Sequence, residues 1–185
     1  MVQKLLFNLW LLDGRRKLRH LQPHLDPTHT VVDIGCGAGS VTSLLRDRGH
    51  CVTPLDVRAQ SLTRAVTPLL FDGRHLPFGA LQFDAAMLLT VLHHADDPDA
   101  LIVEAARVAK RVFVIEDTYA NRLQRTLTLA TDSLVNLEFR GHPHNNRSDA
   151  EWRATFSRLR LRIAHSARWP VAALYQQSLY VLETR

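Results

Sequence analysis

The chain has 185 residues, which is enough for one domain with a full-sized hydrophobic core. Its hydrophobic content of 46% is that of an ordinary globular protein, and no apolar run approaches the roughly 20 residues that span a bilayer. The formal net charge of +5 is compatible with an anionic partner, but the arginines are scattered, which favours a solvated basic surface over a nucleic-acid site.

Cysteine usage and the N-terminal sequence bear on the compartment. The two cysteines, Cys36 and Cys51, provide neither a disulfide framework nor a set of metal ligands. The first apolar stretch is interrupted by Asn8 and is followed by a polar run at 13–16 without a small-residue cleavage site, so we expect no signal peptide. These features predict a cytoplasmic protein with free thiols and no bound metal.

The N-terminal segment, residues 1–28, is predicted to be helical. Apolar residues from Val2 to Leu12 recur at the spacing of an amphipathic helix. Gly14 then predicts a break, and a second short helix is expected over Arg15–Leu21. The segment either covers one face of a sheet or forms a lid over a binding site.

The stretch from Thr30 to Leu44 is predicted to form a buried strand, a glycine-rich turn and the start of a helix near Ser40. Glycine accepts positive φ and lets a ligand approach the backbone, and the free N–H groups of a helix N-terminus attract anionic groups. Taken alone, the stretch is either a tight turn rich in glycine or a nucleotide cradle at the carboxyl end of a parallel strand.

The elements that follow alternate between strands and helices. Ser148, with Glu151 three residues later, predicts a capping box at the start of the last helix. The alternation at 159–163 and at 175–183 then predicts an antiparallel hairpin joined around Trp169-Pro170. Further strands are predicted at 50–56, 67–71, 83–90 and 111–115, and further helices at 40–47, 59–65, 98–109 and 121–137.

Several motifs resemble those of one family. Asp33, Gly35, Gly37 and Gly39 resemble motif I, D/E-x-G-x-G-x-G, of the class I S-adenosylmethionine (SAM)-dependent methyltransferases. The runs LPF, FD and LHH…DP occur in the family's order downstream. Where the family often has a Lys-Pro-Gly-Gly turn, this chain has the shorter sequence Ala-Lys-Arg at 109–111, which touches no cofactor position. The resemblance covers about Val31 to Ile115.

The resemblance implies an α/β fold with a Rossmann-like seven-stranded sheet. The sheet would be mostly parallel, with a C-terminal antiparallel β-hairpin and helices on both faces. Residues 1–185 would form a single methyltransferase domain. The implied cofactor is SAM, with S-adenosylhomocysteine as product. The implied partner is a small-molecule methyl acceptor, because nothing beyond the core is large enough to read a macromolecule in detail.

Two carboxylates are central to the expected cofactor site. Asp56, at the end of the second strand, is expected to accept hydrogen bonds from the ribose hydroxyls, although a carboxylate there would also suit a helix cap. Asp72 either receives the adenine amino group, as the resemblance implies, or belongs to a polar Asp-Gly turn. The predicted cofactor-binding residues are Asp33, Gly35, Cys36, Gly37, Gly39, Asp56, Val57, Asp72, Gly73, Arg74, Leu89 and Thr90.

The acceptor is expected at the carboxyl ends of the central strands, between the LHH run and Glu116-Asp117. The predicted catalytic residues are His94, as a base or substrate contact, and Glu116, which either binds substrate or hydrogen-bonds the next helix N-terminus. The N-terminal helix and the polar loop at 142–147 are expected to roof this pocket, if the loop is not an ordinary surface loop.

Two other functions remain open. A NAD-dependent oxidoreductase would also use the glycine turn and Asp56, but the acid before the first glycine, Asp72 and the terminal hairpin speak against it. A non-catalytic, methyltransferase-like subunit associated with RNA would fit the pI of about 9.8. The intact set of Asp33, Asp56 and Asp72 argues against lost cofactor binding.

Overall fold

The computed structural model describes residues 2–119, 146–171 and 175–184. The predicted helix at 121–137 and most of the predicted loop at 142–147 lie outside these residues. Within them, the strands are β1 (Thr30–Ile34), β2 (Cys51–Asp56), β3 (Leu69–Leu70), β4 (Phe83–Leu89), β5 (Ala109–Thr118), β6 (Leu161–Val171) and β7 (Tyr175–Thr184). The α-helices are α1 (Val2–Leu21), α2 (Ser40–Arg46), α3 (Pro98–Val108) and α4 (Asp149–Arg158).

The seven strands form one sheet in the order β3-β2-β1-β4-β5-β7-β6. The first five are parallel to their neighbours, and β7 runs antiparallel to both β5 and β6. The predicted Rossmann-like sheet with a C-terminal antiparallel hairpin is therefore confirmed. The strand order reverses at β1, whose neighbours are β2 and β4, so a crevice is expected at the carboxyl ends of these strands.

Helices cover both faces of the sheet, as predicted. On one face, α3 and α4 pack against the strands through Ile102 and Trp152, both fully buried. On the other face, α1 and α2 pack through Leu18 and Leu45. The predicted capping box starts α4, since Ser148 and Glu151 exchange hydrogen bonds between side chain and backbone. None of the described helices is long and apolar enough to cross a membrane.

The predicted break at Gly14 is wrong, because α1 runs through it as one helix. A Cβ atom at this position would lie 3.0 Å from Leu44 Cδ1 and 3.4 Å from Ser40 Oγ. The glycine therefore permits a close crossing of α1 over α2, and packing across that crossing outweighs its low helix propensity.

The predicted helix at 59–65 is also wrong, since the chain there forms only bends and turns. The Leu62 N–H donates to the Ala38 carbonyl oxygen at 3.1 Å, and the Ser61 hydroxyl donates to the Thr63 carbonyl oxygen at 2.9 Å. These contacts give the backbone alternatives to helical hydrogen bonds and tie the segment to the glycine turn.

The predicted hairpin turn at Trp169-Pro170 lies within β6 instead, where these residues pair with Gln177 and Gln176. The Trp169 ring is buried and stacks on the His20 ring of α1, with centroids 3.7 Å apart. Pro170 is tolerated because β6 is an edge strand, so its missing N–H removes no hydrogen bond to a further strand.

Candidate active site

A cleft of about 1110 Å³ opens at the carboxyl edge of the sheet. Its walls are the glycine turn, the ends of β2 and β3, the segment after β4, the end of β5 and one side of α1. The space is large enough for a nucleoside cofactor together with a small acceptor. Most of the predicted cofactor residues line it: Asp33, Gly35, Cys36, Gly37, Asp56, Val57, Asp72, Gly73, Leu89 and Thr90.

The glycine turn forms one wall of the cleft. Gly35 and Gly37 have φ angles of 74° and 51°, in the left-handed region that favours glycine. A Cβ atom at Gly35 would lie 2.3 Å from Val91 Cγ2, so this glycine is needed for packing. A Cβ atom at Gly37 would meet nothing within 4 Å and would project into open space at the cleft wall. Gly37 therefore leaves room for a ligand, not for a neighbouring side chain.

Asp56 joins the glycine turn to the end of β2. Its Oδ2 accepts a hydrogen bond from the Gly37 N–H at 2.8 Å, and its Oδ1 accepts one from the Arg58 N–H at 3.1 Å. The segment directly after Asp56, residues 57–65, contains no helix, so Asp56 does not cap one there. A carboxylate oxygen can accept more than one hydrogen bond, and Asp56 lines the cleft, so it retains acceptor capacity for ligand hydroxyls.

Asp33 lies at the base of the cleft, where the β1 strand ends. Its side chain is buried, and its Oδ2 accepts a hydrogen bond from the Thr42 hydroxyl at 2.6 Å. Burial raises the pKa of Asp33 from an ordinary 3.8 to about 6, against the effect of the Thr42 bond. Burial therefore makes the ionised form of Asp33 energetically unfavourable, and a cationic ligand group nearby would reduce this penalty.

Asp72 and Gly73 lie at the far end of the cleft, after β3. Hydrogen bonds from the N–H groups of His75 and Arg74 hold the pKa of Asp72 at about 2, so the carboxylate stays an acceptor. Gly73 lies beside Val57, whose side chain is exposed and apolar. This end therefore combines an acceptor with an apolar wall, as a purine base requires.

Two predicted cofactor residues do not line the cleft. A Cβ atom at Gly39 would lie 2.8 Å from Ser61 Oγ, so this glycine serves packing behind the turn. The Arg74 side chain is exposed outside the cleft, although its N–H binds Asp72. Cys36 does line the cleft, and burial raises the pKa of its thiol, which keeps it protonated.

Glu116 was predicted to be catalytic, but its carboxylate is buried and does not line the cleft. Its Oε1 accepts from the N–H groups of Val91 and Leu92 at 2.9 and 2.8 Å, and its Oε2 lies 2.6 Å from His93 Nδ1. Glu116 therefore fixes the 3₁₀ turn at 92–94, and its carboxylate does not face the cleft. His94, in the same turn, is half-buried and lines the cleft, and its role as a base or substrate contact stays a prediction.

Asp117, the residue after Glu116, does line the cleft. Its Oδ1 accepts a hydrogen bond from Gln177 Nε2 at 2.8 Å, whereas its Oδ2 has no hydrogen-bond partner among the residues that the structure describes. Burial raises the pKa of Asp117 to about 6, with the nearby charges of His93 and Lys17 acting in the opposite direction. A carboxylate of this pKa takes up a proton near neutral pH.

Sequence reasoning did not include Lys17 in the site. This buried side chain lines the cleft, with its Nζ 2.8 Å from both Asp13 Oδ2 and Thr90 Oγ1. Thr90 has a φ angle of 55°, which is uncommon outside glycine, and its N–H donates to the Ile115 carbonyl oxygen at 2.6 Å. The signal in the sequence that could have found Lys17 is its position four residues after Asp13. This spacing is equally typical of an ion pair on the surface of a helix.

These contacts connect α1 to three strands of the sheet. Asp13 pairs with both Lys17 and Arg16, Lys17 reaches the end of β4, and Arg16 Nη2 donates to Gln177 Oε1 at 3.3 Å. Through Gln177, the same chain of hydrogen bonds reaches Asp117. The polar network therefore lies at the end of the cleft away from Asp56 and Asp72. No group of three or more metal-ligating side chains occurs among the described residues.

Comparison with known proteins places this cleft in context. Residues 32–112 match the family described as Methyltransferase domain. Over 91 residues, the chain is 31% identical to a ubiquinone biosynthesis O-methyltransferase of Idiomarina loihiensis, a match that covers 43% of this chain and 37% of that protein. The chain spans less than half the length of the curated relatives it matches.

Solved structures show the same fold. A SAM-dependent methyltransferase of Methanosarcina mazei superposes with a TM-score of 0.71 at 17% identity, covering 89% of this chain and 96% of that one. A geranyl diphosphate C-methyltransferase of Streptomyces coelicolor gives a TM-score of 0.71 at 16% identity, covering 92% of this chain and 79% of that one.

Proposed function

We propose that this chain is a class I SAM-dependent methyltransferase, which transfers a methyl group from SAM to a small-molecule acceptor. The observation that carries this proposal is the contact between the Gly37 N–H and Asp56 Oδ2. It places a side-chain-free backbone surface and a ribose-type acceptor side by side in one cleft. The match of residues 32–112 to the methyltransferase domain family supports SAM as the cofactor, and the cleft is where we expect it to bind.

The residues of the cleft fit this cofactor. Gly37 leaves the space that a Cβ atom would fill, Asp56 offers carboxylate oxygens to hydroxyl groups, and Asp72 offers an acceptor beside the apolar Val57. Asp33 supplies negative charge where β1 ends. When bound, SAM supplies an electrophilic methyl group on a cationic sulfur that leaves as a neutral thioether, so the protein needs chiefly to align the acceptor.

The acceptor would occupy the opposite end of the cleft, between α1, the 3₁₀ turn at 92–94 and the end of β5. Leu6, Leu9 and Trp10 of α1 give this end an apolar side, which suits an apolar or aromatic molecule. The named relatives act on small molecules in ubiquinone biosynthesis and on geranyl diphosphate, which supports a small acceptor here.

Asp117 replaces Glu116 as our candidate for the group that takes the acceptor's proton. Gln177 holds one of its oxygens, and the other is left for a ligand hydroxyl. A hydroxyl that donates to this carboxylate would lose its proton to it as its oxygen forms the new bond. His94 would form the side wall of the same pocket and contact the acceptor.

Calorimetry with SAM and with S-adenosylhomocysteine tests cofactor binding directly. We expect a dissociation constant in the micromolar range, which corresponds to a binding free energy on the order of −8 kcal/mol. An absence of both heat and thermal stabilisation at millimolar ligand would overturn the proposal. Binding of NAD in place of SAM would instead identify an oxidoreductase, and salt-dependent RNA binding without either cofactor would favour the non-catalytic alternative.

A further inference from the structure

The N-terminal half of α1 carries an apolar stripe that the rest of the described protein leaves uncovered. Leu5, Leu9 and Leu12 recur at i, i+4 and i+7, and their exposures are 63%, 56% and 60%. Leu6, beside them, is 45% exposed. The helix is anchored at its other end, where Leu18 and other apolar residues are buried against the sheet.

Basic side chains flank this stripe at both of its ends. At 3.6 residues per turn, Lys4, Arg15 and Arg19 project from the same side of the helix, with Lys4 before Leu5 and the two arginines after Leu12. All three are exposed, and none forms an ion pair within the described part of the chain.

The acidic content of α1 does not offset this charge. Asp13 is the one acidic residue of the helix sequence, and it is already paired with Arg16 and Lys17. The exposed surface of α1 is therefore apolar on one side and positively charged on the next. The net charge of the whole chain, which includes that of α1, is +5.

We propose that this face of α1 docks on an anionic lipid surface. Helices that lie in a membrane interface combine an apolar face that enters the headgroup region with basic residues that meet anionic lipids, and α1 has both. From Leu5 to Leu12 the stripe is only about 10 Å long at 1.5 Å per residue. A stripe of this length offers too little area for a protein interface, which buries about 800 Å² per partner. It is sufficient for insertion of one helix face into a membrane surface.

A second copy of the chain is a less suitable occupant. A symmetric contact between two α1 helices would bring Lys4, Arg15 and Arg19 of both copies together without acidic partners, and like charges repel. An anionic membrane supplies the missing negative charge without requiring a matching protein surface.

Docking would also orient the cleft. Leu9 of the stripe and the neighbouring Leu6 also line the cleft, as does Trp10. A helix lying on the membrane would therefore turn this mouth towards the lipid, so that a lipid-soluble molecule could enter without crossing water. Docking itself does not depend on the methyl transfer proposed above, and its test needs no activity.

The test is binding of the full chain to vesicles of equimolar phosphatidylcholine and phosphatidylglycerol, compared with vesicles of phosphatidylcholine alone. We expect co-sedimentation with the anionic vesicles only, weakened by salt. Tryptophan emission should shift to the blue, because Trp10 is half-buried whereas Trp152 and Trp169 are buried already.

Variants distinguish binding through the stripe from nonspecific binding of the protein to vesicles. The double variant Leu5→Gln/Leu12→Gln, which changes no residue that lines the cleft, should lose vesicle binding at least tenfold. Arg15→Gln/Arg19→Gln should weaken it about fivefold for each charge removed. The matched controls Leu81→Gln/Val103→Gln and Arg64→Gln/Arg160→Gln replace residues that are equally exposed but lie outside α1, and they should bind as the parent does.

The same measurements can overturn the proposal. Absence of binding to the anionic vesicles, or equal losses in the control variants, would exclude a lipid-docking role for this face. Sedimentation equilibrium provides a second criterion. A dimer in solution that Leu5→Gln/Leu12→Gln dissociates would assign the stripe to contact between copies instead.

Discussion

The backbone N–H of Gly37 lies 2.8 Å from Asp56 Oδ2, so the turn after β1 and the end of β2 form one continuous wall of the cleft. The contact couples the two parts of the proposed cofactor site. A change at either residue is expected to disturb the other, because the Asp56 carboxylate both holds the turn and faces the ligand.

Asp56→Ala should weaken cofactor binding by about 1.5–3 kcal/mol, the scale of lost hydrogen bonds to a charged group. It should also lower stability by roughly 1–3 kcal/mol, because the N–H groups of Gly37 and Arg58 lose their acceptor. Calorimetry with S-adenosylhomocysteine and urea unfolding measure the two effects separately. Unchanged affinity in the variant would show that Asp56 only supports the turn.

Gly37→Ala should abolish detectable cofactor binding, because its Cβ would occupy the space left for the ligand. Gly49→Ala is the matched control. Gly49 also has positive φ, 87°, and an open Cβ direction, but it follows α2 and does not line the cleft. Both variants should lose about 1–2 kcal/mol of stability through backbone strain, and only the first should lose binding. If Gly37→Ala and Gly49→Ala bound the cofactor with equal affinity, the cofactor would not lie against Gly37.

Asp33 should make stability depend on pH. Its pKa of about 6 in the folded protein lies above its unfolded value of about 3.9, so the folded state binds the proton more tightly. The resulting stability is fully present below about pH 4 and is lost as pH rises through about 6. Asparagine cannot ionise, so the Asp33→Asn variant lacks this pH dependence. As pH rises from about 4 through about 6, the free energy of unfolding of the parent should fall by roughly 2–3 kcal/mol relative to that of the variant. Urea unfolding across pH, with Asp96→Asn as an exposed control, measures this difference; parallel curves would contradict it.

Asp117→Asn should lower kcat/KM by about 100-fold for acceptors whose hydroxyl is weakly acidic. The loss should shrink for phenols of increasing acidity, such as 4-nitrophenol, because an acceptor that is already ionised needs no base. Cofactor affinity should stay unchanged. In the parent, activity should fall on acidification through about pH 6, where the carboxylate becomes protonated. A loss that is independent of phenol acidity would assign Asp117 a purely structural role.

Removing residues 1–12 should leave cofactor binding intact and abolish turnover of apolar acceptors. The remaining part of α1 keeps Asp13, Lys17 and the buried Leu18, whereas Leu6, Leu9 and Trp10 are lost from the cleft. Calorimetry together with a radiolabelled methyl-transfer assay separates the two effects. Turnover at the full-length rate would mean that this part of α1 covers the cleft without shaping the acceptor site.

The succession of strands along the chain and the position of the glycine turn could be predicted because both depend on local pattern, whereas the seven-stranded sheet was implied by the family resemblance. Buried parallel strands read as apolar runs, and a turn with positive φ needs glycine. The predictions that were wrong concern features that depend on contacts between residues far apart in the sequence. Gly14 serves a helix crossing, the segment at 59–65 is held by the glycine turn, and Trp169 is kept in a strand by packing against α1.

The choice between Glu116 and Asp117 shows the same limit within the site. The predicted strand ended at Ile115, but pairing with β7 extends β5 to Thr118. Side chains alternate along a strand, so one of two adjacent acids enters the cleft and the other turns away. Which of them does so depends on the register and length of a pairing that the local sequence does not specify.

The position of β7 between β5 and β6 has a consequence for how the chain acquires its structure during synthesis. Arg111 of β5 pairs with Glu183 of β7, which is 72 positions further along the chain. Until β7 has left the ribosome, β5 has an open hydrogen-bonding edge and β6 has no strand to join. Contacts of such long range form slowly and expose apolar strands meanwhile. The nascent chain is therefore expected to depend on a chaperone until β7 is inserted.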